Sequence, residues 1–422
     1  MSESGLDLAL AVDTSLRDVP PPPPPPGTGQ GLRGILRDNL FKDVKSGVLT
    51  VVFGLVLTFV LVRSLTFLFV TARWEVIVDG PLVFYMVGND FANTGISYEM
   101  LWAGIYVAVL ATALAVGLAY RPDLPPMRKS ARAAMIGGPA FGIGLILSMT
   151  RTITPTLLTI GAVGVAFVGS QLGRRLPPDV RRHSGWLLLA LALLSFGLIT
   201  GFTPSNLDDF GGLLLTVVVS VTSIALSFPI GVLMALARRS SLPLIRPLAV
   251  GYIELIRGVP LISLLFMGQF ALRFLFPPGA GVPGDVPRAI MMVTLFSAAY
   301  VAEVVRGGLQ SVPSGQVEAG KALGLSGFTI TRRIVLPQAL RNSIPALIGQ
   351  FISLLKDVSL LAIIGFQEVL GMVDVVLARR EFTNQGYTPE AYAFVGIVYW
   401  TICFSMSRAA QRLETRLGVG TR

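Results

Sequence analysis

Ten apolar windows, each close to the roughly 20 residues that an α-helix needs to cross a bilayer, recur along this sequence. They fall at about 48–70, 99–119, 133–150, 153–171, 185–202, 212–236, 250–276, 288–310, 339–365 and 391–411. Backbone N–H and C=O groups in hydrocarbon must pair within the chain, so segments of this length are helices. Of 422 residues, 53% are apolar and 14% are Asp, Glu, Lys or Arg, against about 25% charged in a soluble domain. A water-soluble fold of this size would lack the polar surface to cover itself. The expected class is an all-α polytopic membrane protein with about ten transmembrane helices. Pro139, Pro155, Pro229, Pro260 and Pro345 lie within or at the ends of these windows, where neighbouring helices can satisfy the freed carbonyls.

The net charge of +10 would suggest nucleic acid or acidic lipid if it were spread over a surface. Its placement argues for topology instead. With the N-terminus inside and ten crossings, the inside segments collect Arg33, Arg37, Lys42 and Lys45, then Arg121, Arg128, Lys129 and Arg132. They also collect Arg174, Arg175, Arg181, Arg182, Arg238, Arg239, Arg246, Lys321, Arg332, Arg333 and Arg408 to Arg422. Lys and Arg accumulate on the cytoplasmic side, so both termini are expected in the cytoplasm and a nucleic-acid partner is not. Cys403 is the one cysteine and His183 the one histidine. Neither an internal disulfide nor a Cys/His metal cluster can be assembled from them. The polar stretch up to Phe41 does not read as a cleavable signal peptide.

Four parts are expected. Residues 1–45 form a cytoplasmic tail whose proline run, Pro20 to Pro26, favours polyproline II and has nothing apolar to bury. Residues 46–204 carry five spans with few internal charges, 205–415 carry five spans with the ionisable residues, and 416–422 are a second short tail. Within Phe366–Glu390, Val369, Met372, Val373, Val376 and Leu377 recur at helical spacing among Glu368, Asp374, Arg379 and Arg380. That pattern reads as an amphipathic helix lying on the outer face.

Between the eighth and ninth spans runs Ser311-Val-Pro-Ser-Gly-Gln-Val-Glu318-Ala319-Gly320-Lys-Ala322-Leu-Gly324-Leu-Ser326, continuing to Ile334-Val-Leu336-Pro337. Pro313 suits a helix start. Gln316 to Leu323 then form a short helix, with Gly324 where a left-handed cap belongs. Ser326 can cap a second segment, which Pro337 helps to end. Ala319, Gly320 and Ala322 keep the first helix thin, so a neighbour can approach its backbone. So short a helix is marginal alone and has to dock on something.

The Glu318-Ala319-Gly320 triplet, Gly324 and the Ile334-Val-Leu336-Pro337 run resemble the cytoplasmic signature loop of ABC importer permeases, with Gly320 where the family usually has alanine. Tyr252-Ile-Glu254-Leu-Ile-Arg257-Gly258-Val-Pro260, Phe296 to Gln310 and Leu355-Lys356-Asp357-Val-Ser359-Leu360 resemble the polar and general L-amino-acid (histidine permease-like) subclass. The likeness covers about 205–415, and the N-terminal half resembles that of the larger permease subunits. It implies a type I ABC importer permease core in a bacterial inner membrane. It also implies two copies of a separate ATPase docked on the loop helix near Val317 to Leu323, and a second permease, homologous or identical. A periplasmic or lipid-anchored binding protein would deliver an amino-acid solute. The chain has no Gly-x-x-x-x-Gly-Lys-Ser/Thr loop, so ATP and magnesium belong to the partner. The chain itself carries no catalytic, cofactor or metal site.

Charges inside spans are costly and mark partners or water-filled paths. Glu254 and Arg257 are three apart, as are Glu303 and Arg306, so each pair can share a helix face. Lys356 and Asp357 interrupt an apolar window, with Gln350 and Ser353 on the preceding turns. Two readings stand: ion pairs that fix helix register, or groups along the translocation path that meet an amino acid's ammonium and carboxylate. A different class, an ion-gradient-driven secondary carrier coupled through Glu303 and Lys356–Asp357, would be expected to show mirrored halves with interrupted spans. The halves here do not mirror each other. A scaffold recruited through the proline tail is a third reading. Arg63 interrupts the first span with no partner identifiable from sequence.

Overall fold

The computed structural model describes residues 40–78, 81–88, 168, 207–277 and 281–417. The proline tail, His183 and the four windows from 99–119 to 185–202 lie outside the described residues, apart from Val168. The chain divides into two compact units between Ala72 and Arg73. Among the described residues five helices are long and apolar enough to span a membrane, and a sharply bent pair makes a sixth. They contain no β-strand, and one isolated bridge joins Gly212 to Glu368.

In the first unit, α1 runs Val44–Thr66 and continues as a π turn over Phe67–Thr71. The Asp43 carboxylate accepts the Ser46 N–H at 2.7 Å and caps its start, which holds that carboxyl below its ordinary pKa. No residue of α1 is buried, as expected of a rod whose sides face lipid. Arg63 lies 5.8 Å from the Phe59 ring centre, one turn earlier. The sequence reading had not seen this neighbour, although a cation one helical turn from an aromatic ring is within reach.

The second unit begins with two short helices, α2 (Glu75–Val78) and α3 (Leu82–Val87), before the long spans. Spans α4 (Gly212–Arg238) and α7 (Asp285–Gln310) form its centre. Small and hydroxyl residues are buried on both, Thr216, Ser220, Ser223, Ser227 and Gly231 on α4 and Thr294, Ser297, Ala298 and Ala302 on α7, and Gly231 lies directly against Val301 and Ala298. In lipid no hydrophobic force drives helices together, so small side chains that admit close backbones do the work. At one end Leu215, Val219, Val286, Val293, Leu354 and Leu361 fill the core. At the other, Ala235, Ile253, Val301, Val305, Ile330 and Ala339 do so.

Two expectations about span boundaries are corrected. The seventh window is not one helix. It splits into α5 (Ile245–Gly258) and α6 (Leu261–Phe266, continued by π and 3₁₀ turns to Leu275), bent by 104°. Val259 and Pro260 are both extended, at ψ 135° and 140°. Pro260 supplies no N–H, and its ring disfavours helical backbone at the residue before it. Pro337, by contrast, ends nothing. A helix α9 (Gly327–Ile330), a π turn (Thr331–Val335), α10 (Leu336–Asp357) and a 3₁₀ turn (Val358–Ile364) form one 38-residue span. The π turn precedes the proline, and Leu336 N–H reaches back to the Thr331 carbonyl. A wider turn there makes room for a residue that cannot donate.

The amphipathic surface helix expected over Phe366–Glu390 is also corrected. Between the long spans only Met372–Leu377 (α11) is α-helical there, and Val369, Met372, Val373 and Val376 are wholly buried inside the unit. The helical spacing was real, but its apolar face meets protein rather than lipid. The last span, α12, is Thr388–Leu417.

The tight approach of α4 and α7 gives a direct test. A Cβ on Gly231 would sit 2.5 Å from Val301 Cγ1 and 2.9 Å from the Ala298 carbonyl oxygen, whereas one on Gly251 would meet nothing within 4 Å. Gly231→Ala should lower stability by about 1–3 kcal/mol. Thermal melting of the detergent-purified protein should show a lower midpoint for Gly231→Ala than for Gly251→Ala.

Candidate functional site

The loop helix, α8, spans Ser314–Ala322 directly after Pro313, whose fixed φ of −58° sets the entry. Its end is a Schellman motif: Leu325 N–H donates to the Gly320 carbonyl at 3.1 Å and Gly324 N–H to the Lys321 carbonyl at 2.9 Å. Gly324 holds φ +73°, the left-handed conformation that glycine adopts without a Cβ penalty. Ser326 Oγ accepts the Thr329 N–H at 3.3 Å and starts α9. The helix therefore has both ends fixed by backbone chemistry readable in the sequence.

Its two faces differ. Gly320 is buried, and a Cβ there would lie 2.8 Å from Ile330 Cγ1 and 3.5 Å from Ile334 Cδ1. Its missing side chain therefore seats α8 on its own chain, against the start of the following helix. Glu318, Ala319 and Ala322 are exposed on the other side. Leu323 and Phe328 beside them are 77% and 73% exposed. Gly315 to Lys321 also has the Gly-x-x-x-x-Gly-Lys spacing of a phosphate loop, but Ala322 follows and the segment is helical. Its N–H groups are largely committed to the helix and cannot cradle phosphate.

Behind this loop, five charges converge. Arg238 at the end of α4 reaches Glu254 at 3.1 Å and Glu303 at 3.3 Å, while Arg257 lies 3.8 Å from Glu303. Arg306 Nε donates to Glu303 at 2.8 Å, and its terminal nitrogen bonds the same oxygen. Glu303 thus carries three guanidinium neighbours from α4, α5 and α7. Glu303 and Arg306 share the helix face that their spacing allows. Glu254 and Arg257 are not paired with each other; each reaches across to another helix. Arg238 was assigned to a loop in the sequence reading, so its place at the centre of the cluster went unseen. Its position in the last turn of an apolar helix was the available signal.

Further along α10, Gln350 and Asp357 are half-buried and Lys356 is exposed. Neither Lys356 nor Asp357 makes an ion pair among the described residues. Lys356 borders a cavity of about 270 Å³ shared with Ser359, Leu370 and one face of α12. Pro337 stands in the first turn of α10, and α8, with Ala319 and Ala322, rests on Ile330 at the start of the same span, so the loop and Lys356 lie toward opposite ends of it.

Residues 227–419 match the family of binding-protein-dependent transport system inner membrane components. Over 420 aligned residues the chain is 34% identical to the glutamate/glutamine/aspartate/asparagine transport system permease protein BztC of Rhodobacter capsulatus, covering 90% of this chain and 93% of that one. The chain belongs to the amino-acid ABC transporter permease family. It is 38% identical over 261 residues to the inner membrane amino-acid ABC transporter permease protein YhdY of Escherichia coli, across 61% of this chain and 70% of that protein. It is 34% identical to the probable glutamine ABC transporter permease protein GlnP of Bacillus subtilis, across 49% and 91% respectively. Members of this family are multi-pass inner-membrane transport components and not enzymes.

The permease has a second polar knot, at the end of the bundle away from α8, that sequence reasoning missed. Glu368 is wholly buried. It accepts the Thr216 hydroxyl at 3.1 Å, the Tyr399 hydroxyl at 3.0 Å and the N–H groups of Leu370 and Gly371 at 2.8 and 3.0 Å. Burial pushes its carboxyl above the ordinary glutamate value, and the four donors oppose that rise. Nearby, Arg73 N–H donates to Glu390 at 3.1 Å, the Arg73 guanidinium to the Gln385 carbonyl at 2.7 Å, and Tyr387 OH to Glu75 at 2.8 Å. The short helices α2 and α3, with Val76, Ile77 and Tyr85 fully buried, are thereby built into the same unit as the last span.

Removing the shared carboxylate of the charge cluster should leave three guanidiniums competing for Glu254. Glu303 is about one-fifth exposed, so the cost is discounted from that of a fully buried pair to about 1–2 kcal/mol for Glu303→Gln. A melting-based double-mutant cycle with Arg238→Gln should return a coupling energy above about 0.5 kcal/mol. Additive losses would mean that the two charges do not interact.

Proposed function

We propose that this permease carries polar or general L-amino acids into the cell, driven by a separate ATPase that grips α8. The carrying observation is the exposed side of that helix. Glu318, Ala319 and Ala322 lie open, with Leu323 and Phe328 as large apolar neighbours. Apolar side chains on a loop outside the spans mark a protein contact. The Schellman cap and the Gly320–Ile330 seat make the helix a rigid handle, so force applied to it reaches α9 and α10. Two such handles for two ATPase copies call for a second permease, homologous or identical. ATP and magnesium are then held by the ATPase. A periplasmic or lipid-anchored binding protein delivers solute to the opposite end, and the loop and both termini lie in the cytoplasm, in line with the clustering of Lys and Arg. The amino-acid class follows the subclass motifs around Glu254, Glu303 and Lys356 and the names of the relatives.

Within this reading Glu254, Arg257, Glu303 and Arg306 hold helices in register near the loop. Gln350, Lys356 and Asp357, further along the span and without ion pairs among the described residues, border the path of the solute.

The test uses the whole complex in proteoliposomes. Glu318→Lys or Gly324→Val should leave the permease inserted while ATP-driven uptake falls at least about tenfold, because a β-branched residue resists the positive φ that Gly324 holds. In a Cys403→Ser background, Ala322→Cys should cross-link to the ATPase. Wild-type uptake by both loop variants would overturn the docking. Uptake that persists without any ATPase and stops with an ion uncoupler would identify a gradient-driven carrier instead.

A further inference from the structure

The end of α3 lies against the start of α4, although the two are far apart in sequence. Gly88 closes α3 at φ +91°, donating its N–H to the Phe84 carbonyl at 2.9 Å. Gly211 is the N-cap of α4. A Cβ on Gly88 would lie 2.5 Å from Gly211 Cα, and one on Gly211 would lie 2.5 Å from Gly88 Cα. Gly212 follows at φ +57°, and a Cβ there would lie 2.5 Å from the Tyr85 carbonyl oxygen. All three glycines are buried. Backbones come this close only where no side chain intervenes. The junction is also fastened to its surroundings. Gly212 N–H donates to the Gln367 carbonyl at 2.7 Å, and the Asp208 carboxylate accepts the Val286 N–H at 2.7 Å. On the α3 side, Tyr85 meets the Phe394 ring edge-on at 5.3 Å, and the Arg379 guanidinium lies 4.3 Å from the Phe84 ring centre.

The chain therefore leaves the second unit at Gly88 and returns beside the same point. Between the two, the sequence holds four apolar windows, at about 99–119, 133–150, 153–171 and 185–202. Each crossing of a bilayer changes the side on which a chain emerges, so an even number brings it back to the face it left. The bases agree with that count. Clusters follow the first window, Arg121 to Arg132, and the third, Arg174 to Arg182, whereas Arg151 alone follows the second. Segments whose two ends lie together are the ones that proteins accept as insertions.

We infer that residues 89–206 are an insert hung from one glycine-lined junction, and that the permease core is discontinuous in sequence. That core is Arg73–Gly88 together with residues 207–417. The strap of α2 and α3 then belongs with the last span that it braces, not with the windows that follow it. A body attached at one point can move without changing the distance between any two elements of the core. The insert is thus an accessory to transport rather than a part of the stroke. The inference goes beyond the transport reading, and its first readout needs no assay of transport.

The experiment cuts the full chain after it has folded. Specific protease sites are placed between Asn89 and Asp90 and between Ser205 and Asn206, with an affinity tag at the C-terminus, and the assembled complex is cleaved at both. The fragment ending at Asn89 should stay with the tagged fragment through detergent washing, while the insert washes away. ATP-driven uptake by the washed complex should stay within about threefold of the uncut one, as for a module that touches the core at a single point. Gly88→Val, which puts a side chain where Gly211 stands, should release the first fragment. Tyr85→Ala should weaken its retention without altering the backbone of the junction. Loss of the first fragment from the unsubstituted complex, an insert that cannot be washed away, or a larger fall in uptake overturns the inference. So does retention undiminished in both variants. Uptake missing from the uncut complex counts against the transport reading alone, and the retention of fragments still decides the inference.

Discussion

The missing side chain of Gly320 is what allows the rest of the loop to work as one piece. Ile330 occupies the space that a Cβ would need, so α8 rests against the first turn of the following span with no spacer. A nine-residue helix on its own is below the length at which hydrogen bonding offsets the cost of nucleation. Here the Schellman cap at Gly324 and the Ser326 cap fix both sides of the turn. The stability lacking in local propensity is provided by that buried contact and by Val317, which packs against the same core. A Cβ in the same place would stand 2.8 Å from Ile330 Cγ1, so an alanine would force Ile330 out of its position.

What could be read in advance followed from chemistry local in sequence. The apolar windows located each of the spans that the described residues contain, because length and composition alone set that requirement. Gly324, Ser326 and Pro313 announced the turn because caps are satisfied within a few residues. The pairing of Glu303 with Arg306 was equally local. What was missed depended on partners far along the chain. Arg238 is 65 residues from Glu303, Arg73 is 317 from Glu390, and Thr216 is 152 from Glu368. No periodicity signals such meetings. The apolar stripe at Val369 to Val376 was read correctly as a helical face and wrongly as lipid-facing, because spacing tells that a face is covered and not by what.

The prolines show the same limit from another side. Pro260 and Pro337 both lack the N–H that a helix uses, yet one breaks its helix by 104° and the other sits inside an unbroken span. The difference lies upstream. Before Pro260 the backbone goes extended at Val259. Before Pro337 the turn widens to π geometry, and the chain stays helical. Sequence identifies the missing donor, and packing decides whether the helix breaks or absorbs it. At Pro260 the two halves belong to different core clusters, with Ile253 packed at the loop end and Leu261 and Leu265 at the other, so a sharp turn lets both be buried.

These features meet in the long span from Gly327 to Ile364. At one end it carries the seat of α8, and at the other the 3₁₀ turn that aligns Lys356 with Ser359. Between Ile330 and Lys356 lie about 40 Å of helix, taking about 1.5 Å per residue. Near each end the α-helical pattern is interrupted: Thr331–Val335 is a π turn and Val358–Ile364 is 3₁₀. A rod with a stiff centre and re-registered ends can rotate or slide as a body while its terminal turns exchange one hydrogen-bond pattern for another. The charge cluster around Glu303 resists such movement from the side, since it ties α4, α5 and α7 together by solvent-accessible ion pairs that can part and re-form at modest cost. A buried carboxylate such as Glu368, with four donors and nowhere else for them to go, has no such freedom.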